Sequence, residues 1–342
     1  MSKLSIRDIA KDLNISIATV SYIMNGKAKE KRISEAMTKK VQKYLKEKNF
    51  RPNHTAKSLR TGKTMLICFF VENIADNFFS NMAEQLEELA YEKGYRLLLC
   101  STNNLTVKAK ELINTFRNRN VDAYIITPPP GIEKDIEHLI ADKVPVILFD
   151  RYFENVDSSY VGMDNMESTF KAINHLYENG FKNIAFVTLD STQIQMTDRT
   201  KGYEKALEEA HKKPIIKKIP YSLPVAENIS DEIAEFIKSN PTIDAVFFAT
   251  NYLAVSGLEA INKLALKIPE DLGVIVFDDN DLFRIHQPTI TAVSQPIKGM
   301  AVELVNLILT HLANEDNYEV QKIVVPSTLI IRQSSVRNSK TK

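Results

Sequence analysis

Residues 5–26 read SIRDIAKDLNISIATVSYIMNG, and this stretch decides how the chain is organised. Ser5 with Asp8 is a capping-box pattern, in which the Ser5 hydroxyl accepts from the third amide and Asp8 reaches back. Ile6, Ile9, Ala10 and Leu13 follow at helical spacing. Asn14-Ile15 makes a short turn, and Ser16 is a suitable N-cap for a second helix. On that helix Val20, Ile23 and Met24 form one face, with Ile17, Ala18, Ser21 and Tyr22 opposite. Helix, short turn and helix within about twenty residues is a helix-turn-helix. A third helix is expected to start near Ser34 and to bury Met37, Val41, Tyr44 and Leu45.

Charge separates this piece from the rest. The chain of 342 residues has 44 Lys and Arg against 43 Asp and Glu, a net charge of +1. Residues 1–63 hold 16 basic and 5 acidic side chains, net +11, and the remainder is net −10. A strongly basic head on an acidic body implies a polyanion partner for the head alone. Apolar periodicity argues against a disordered basic tail. The charge argues against a plain protein-binding bundle. The second helix is expected to enter the major groove of duplex DNA with its N-terminal residues against base edges. Ser16, Thr19 and Ser21 would then hydrogen-bond phosphates.

Composition excludes other classes. The longest apolar run, Met65–Val71, is far too short for a transmembrane helix, so no membrane partner is expected. The charged N-terminus lacks the apolar stretch of a signal peptide, so a cytoplasmic protein is expected. Cys68 and Cys100 both lie in apolar runs and suit neither a disulfide framework nor a metal site. No two of the ten glycines are close enough for a dinucleotide loop. Gly62-Lys63-Thr64 lacks the upstream glycine of a phosphate loop, because Lys57 stands there. No catalytic constellation, cofactor or metal is expected.

Residues 5–26 resemble the DNA-binding head of the lactose/galactose-repressor family. The match continues through Asn49-Phe50-Arg51-Pro52-Asn53 and Ala56-Lys57-Ser58-Leu59-Arg60-Thr61-Gly62. The resemblance implies a hinge helix in the minor groove, with Leu59 wedged into a base step; such a wedge unstacks a flexible step and kinks the duplex. It assigns DNA contact to Ser5, Ser16, Ile17, Ala18, Thr19, Ser21, Tyr22, Asn25, Asn53, His54, Ala56, Lys57 and Leu59. Tyr22 stands where the family commonly has Arg. A single hydroxyl cannot read guanine as Arg does, so half-site preference does not carry over. The basic stretch Lys27–Ile33 is longer than usual and is expected to add phosphate contact or to form a flexible loop.

Beyond residue 64, apolar runs alternate with amphipathic helices. Strands are predicted at Met65–Val71, Arg96–Ser101, Ala123–Thr127, Val144–Phe149, Ile184–Thr188, Ala245–Ala249 and Val274–Phe277. Helices are predicted at Phe79–Glu92, Thr106–Arg117, Met166–Asn179, Thr200–Ala210, Ile229–Lys238 and Tyr252–Leu264. This order makes an α/β fold with parallel sheets and helices on both faces. The resemblance extends here through Asn77-Phe78-Phe79, Val121-Asp122-Ala123, Asp164-Asn165, Asp198-Arg199-Thr200-Lys201-Gly202-Tyr203, Ile268-Pro269-Glu270-Asp271 and Phe277-Asp278-Asp279. It implies a two-lobed core like that of periplasmic sugar-binding proteins. The implied boundaries are a head at 1–50, a hinge helix at 51–62 and a core at 63–342. Lobe 1 would take about 63–164 and 294–322, and lobe 2 about 165–293 and 323–333.

Within that core the resemblance implies an effector pocket. Asp150 and Arg151 end a predicted strand, and Arg199, Asn251 and Asp278 match effector-binding positions. Phe78 and Phe79 offer apolar faces, and Gln193 and Gln195 precede Arg199. Carboxylates and Arg form paired hydrogen bonds to vicinal hydroxyls, so the set suits a sugar. Arg199 and Asp278 have an alternative as a structural ion pair, and Phe78 and Phe79 as core. Tyr252 replaces the Asp that usually follows Asn251. The implied function is a ligand-responsive repressor that binds a pseudo-palindromic operator as a homodimer. The chain end carries no apolar heptad for tetramers. A sugar-binding protein without a DNA role is opposed by the basic head. A sugar-converting enzyme is opposed by the missing nucleotide loops and acid–base pairs.

Overall fold

A computed structural model describes residues 4–50, 58, 62–221, 228–314 and 319–337. The chain divides into two compact units, Met1–Thr64 and Met65–Lys342. The expected hinge positions Asn53, His54, Ala56, Lys57 and Leu59 lie outside the described residues.

The first unit holds α1 (Ile6–Asp12), α2 (Ile17–Met24) and α3 (Glu35–Glu47). Ile9, Val20 and Val41, one from each helix, are fully buried at its centre. Met37, Tyr44 and Leu45 are only half-buried around them, because so small a unit has little interior. The segment after α2 is a set of hydrogen-bonded turns rather than a flexible loop. The Ile33 amide donates to the Ala28 carbonyl at 2.9 Å, and both side chains pack on the core.

The second unit contains two sheets of six strands. The first is built from β1 (Leu66–Val71), β2 (Arg96–Ser101), β3 (Ala123–Ile126), β4 (Val146–Phe149), β5 (Ser159–Met163) and the late β11 (Lys322–Val325). Its order is β11-β5-β4-β3-β1-β2, parallel throughout. The second sheet takes β6 (Ile184–Asp190), β7 (Ile215–Pro220), β8 (Ala245–Phe248), β9 (Gly273–Phe277), β10 (Thr291–Ser294) and β12 (Thr328–Ile330). Its order is β12-β10-β9-β8-β6-β7, with only β12 antiparallel. The central strands are apolar on both faces, as parallel strands covered on two sides must be.

The covering helices are α4 (Asn77–Glu92), α5 (Thr106–Arg117), α6 (Glu133–Ala141), α7 (Asn165–Glu178), α8 (Ile194–Glu209), α9 (Ile229–Ser239), α10 (Asn251–Lys263), α11 (Asp281–Ile285) and α12 (Ile297–Ala313). The chain crosses between lobes after β5, after β10 and after β11. The last crossing falls after Val325, not after 322 as expected, because β11 pairs with β5 through Val325. Pro326, which has no amide to donate, ends that ladder.

One glycine fixes how α8 sits on α7. A Cβ at Gly202 would stand 2.2 Å from the Met166 carbonyl oxygen. One residue on, the Tyr203 hydroxyl donates to the Ile184 carbonyl at 2.9 Å and accepts from the Ile215 amide at 2.9 Å. Helix α8 is thereby anchored to α7 and to the second sheet. Arg199 lies one turn before Gly202.

Candidate functional site

In open parallel sheets the pocket forms at the carboxyl ends of strands. Here both lobes turn those ends toward one cavity of about 220 Å³. Asp150 directly follows strand β4 of the first lobe, and Asp278 directly follows strand β9 of the second. Both residues are left-handed, with φ of 66° and 73°. The Asp150 amide donates to Val161 and the Asp278 amide to Val293, at 3.2 and 3.0 Å. Asp tolerates this conformation better than most side chains. The same device thus places a carboxylate on each side of the cleft.

Phe78, Phe79, Asp150, Arg151, Gln193, Gln195, Arg199, Asn251 and Asp278 all line this cavity. Phe78 and Phe79 are also core. Phe78 stacks on Phe149 with ring centroids 5.6 Å apart and touches Phe79. They form an apolar floor rather than free aromatic faces. Tyr252, which stands in place of the family's Asp, also lines the cavity, and sequence reasoning missed Glu72, Asp76, Tyr221 and Gln295, which do so too.

Arg151 is buried and ties up the first lobe. Its guanidinium meets the Glu72 carboxylate, donates to Asn104 Oδ1 at 3.2 Å, and lies 3.5 Å from Asp150 Oδ2. Arg199 is fixed within the second lobe. It donates to Asn165 Oδ1 at 2.8 Å and to the Ala249 carbonyl at 2.6 Å, and lies 3.4 Å above the centre of the Phe277 ring. The alternative of an Arg199–Asp278 pair is not what forms. No direct ion pair joins them among the described residues. Burial pushes the Asp150 and Asp278 carboxyls up, and the nearby guanidiniums oppose it.

Among the described residues, three side-chain hydrogen bonds cross the cleft. The Tyr221 hydroxyl donates to Glu72 at 2.7 Å, Gln193 Nε2 to Asn104 at 3.1 Å, and Asn251 Nδ2 to Asp76 at 3.3 Å. Asp76 also caps α4 by accepting from the Phe78 amide at 2.8 Å.

Burial, and then the negative charge of Asp278, push the Asp76 carboxyl up to about 6. The folded state therefore holds this proton more tightly than the unfolded chain does. The stabilisation is complete below the ordinary value near 4 and is lost as pH rises through about 6. Asp76→Asn removes the charge and keeps a good cap. It is expected to stabilise the protein by roughly 1–3 kcal/mol at neutral pH and by little at pH 4. Melting curves at both pH values check this, and an equal shift at the two would contradict it.

The head presents a second surface. Ser5 Oγ accepts from the Asp8 amide at 3.2 Å while its own amide donates to Asp8 Oδ2 at 2.9 Å, which completes the capping box. Ser16 Oγ accepts from the Thr19 amide at 3.0 Å. Both hydroxyls first serve to start a helix. Ile17, Ala18, Tyr22 and Asn25 are exposed, and Thr19 and Ser21 half-exposed, on the side of α2 away from Val20 and Ile23. Asn25 Nδ2 donates to the Ser21 carbonyl at 2.8 Å, and Lys31 lies over the Tyr22 ring.

Comparison with known proteins places both units. Residues 5–53 match the family described as bacterial regulatory proteins, lacI family. Residues 173–335 match a periplasmic binding protein-like domain. The HTH-type transcriptional regulator RegA of Clostridium saccharobutylicum is 30% identical over 97% of this chain and 99% of its own. The chain belongs to the lacI family. A ribose operon repressor of Halalkalibacterium halodurans is 27% identical over 97% of each chain. The solved structure of a periplasmic binding protein/LacI transcriptional regulator from Alkaliphilus metalliredigens, complexed with D-xylulofuranose, superposes with a TM-score of 0.70. It shares 23% identity and covers 80% of this chain and 100% of its own. This lacI-family protein is a transcription regulator, not an enzyme. No helix among its described residues is long and apolar enough to cross a membrane.

Proposed function

We propose that this regulator is a cytoplasmic repressor that binds a pseudo-palindromic operator as a homodimer and responds to a small sugar or close relative bound between the lobes. The observation that carries the reading is the cavity itself. Nine side chains singled out from the sequence meet in it, drawn from both lobes, with buried carboxylates, guanidiniums and amides that suit hydroxyl groups. At about 220 Å³ it is smaller than the usual pocket for drug-sized ligands, about 300–1,000 Å³, which favours a small metabolite. The exposed face of α2 and the +11 charge of residues 1–63 support major-groove binding. Two such heads match two half-sites, which supports a two-fold dimer.

A ligand that binds only the folded state raises apparent stability by about 2.7 kcal/mol at a hundred times its Kd. A thermal-shift screen of pentoses, hexoses and their derivatives is therefore expected to yield a saturable rise in melting temperature. If no polyol in a broad panel moves it, the cleft is not a sugar site.

A further inference from the structure

Asp76 of the first lobe and Asp278 of the second meet at Asn251. The Asn251 side-chain amide donates to Asp76 Oδ2 at 3.3 Å, and its backbone amide points its dipole at the Asp278 carboxylate. The other donors on these carboxylates are neutral as well. They are the Phe78 amide on Asp76, at 2.8 Å, and Gln295 Nε2 on Asp278, at 2.5 Å. Among the described residues neither guanidinium that lines the cavity hydrogen-bonds Asp76 or Asp278: Arg151 meets Glu72 and Asn104 and lies beside Asp150 with its Nε unpartnered, and Arg199, whose charge still acts on Asp278, is held by Asn165 and the Ala249 carbonyl.

Gln295 adds an independent sign. It is only 9% exposed, it lines the cavity, and its Oε1 has no hydrogen-bond partner among the described residues. Because its NH2 group is fixed on Asp278, the unpartnered atom is the carbonyl oxygen, an acceptor. A buried acceptor without a donor is costly, so the site is incomplete as it stands.

We propose that the cleft takes a polyol bearing a primary ammonium group, such as an amino sugar, with the ammonium seated among Asp76, Asp278 and Gln295 Oε1. An ammonium carries three N–H donors, one for each of these acceptors. The charge count favours the same ligand. Glu72, Asp76, Asp150 and Asp278 face two guanidiniums, so a cation moves the buried site toward balance. A sugar phosphate or sugar acid moves it further away. This assignment rests on the reading of the cleft as the effector site.

The test is calorimetric titration of the full-length protein at neutral pH with glucose, galactose and mannose, their 2-amino-2-deoxy forms and their 6-phosphates. At least one amino form is expected to bind about tenfold tighter than its parent sugar, with the phosphates weakest. Asp76→Asn, which retains the helix cap, is expected to bring that amino form to within about twofold of its parent. Gln295→Met removes the third acceptor and is expected to narrow the preference part-way. The proposal is overturned if parent sugars bind as tightly as amino forms in every set, if a phosphate binds tighter, if no amino form binds, or if Asp76→Asn keeps the preference. An amino form that binds without changing operator affinity would leave this assignment standing and remove the effector reading. A phosphate that binds and does change operator affinity would do the reverse.

Discussion

Raising the salt from about 50 to about 200 mM is expected to weaken operator binding by about a thousandfold or more. The expectation follows from the head. Residues 1–63 carry 16 basic and 5 acidic side chains, and Arg7, Lys27, Lys29, Lys31, Arg32, Lys39 and Lys40 are all exposed. Neutralising about six or more phosphates releases their counterions, which gives a slope of roughly −5 or steeper in log K against log salt. Fluorescence anisotropy with an operator selected by the protein from a random duplex pool measures it. A nearly flat response would mean that the basic surface does not meet the phosphate backbone.

Asp278→Asn is expected to weaken effector binding about tenfold to a hundredfold while leaving operator binding without ligand within a few-fold. A hydrogen bond to a charged group contributes about 1.5–3 kcal/mol, and this substitution removes the charge at the end of β9. Asn tolerates the left-handed backbone that residue 278 requires, so the loop is retained. Arg199→Ala is a poorer probe. It would leave the buried Asn165 side chain and Ala249 carbonyl without their donor and would remove the cation near Asp150 and Asp278. Loss of ligand response there would be mixed with loss of folding. Isothermal titration of Asp278→Asn, beside its melting curve, separates the two. Unchanged ligand affinity in a folded variant would remove Asp278 from the site.

The helix-turn-helix was legible because its caps and apolar spacing are local. Ser5, Ser16 and Ser34 each begin a helix at the expected place. The central strands were legible as apolar runs. Strands β5, β7, β10, β11 and β12 were not, because polar residues interrupt or flank their apolar residues. Helix α8 starts at Ile194, six residues before the expected Thr200. Its early face turns Gln195 and Arg199 into the cleft, so apolar periodicity fails where the helix lines the cavity. The site divides in the same way. Asp150 and Asp278 follow apolar strands and could be seen. Tyr221 follows the edge strand β7, Gln295 lies on a crossing segment, and Asp76 stands before a helix. Their presence in the cleft comes from tertiary folding, which no local pattern reports.

A ligand in the cleft is expected to set the affinity of the head for DNA. By linkage, a ligand does this only through different affinities for the DNA-competent and DNA-incompetent states. The direct measurement is an operator titration of wild type and Asp278→Asn, each with and without the ligand found by thermal shift. The ligand is expected to change wild-type operator affinity about fivefold or more, typical of allosteric coupling. At a concentration near the wild-type Kd, where a variant weakened about tenfold or more stays almost unliganded, it is expected to leave Asp278→Asn nearly unchanged. Equal operator affinity in wild type with and without saturating ligand would contradict the account.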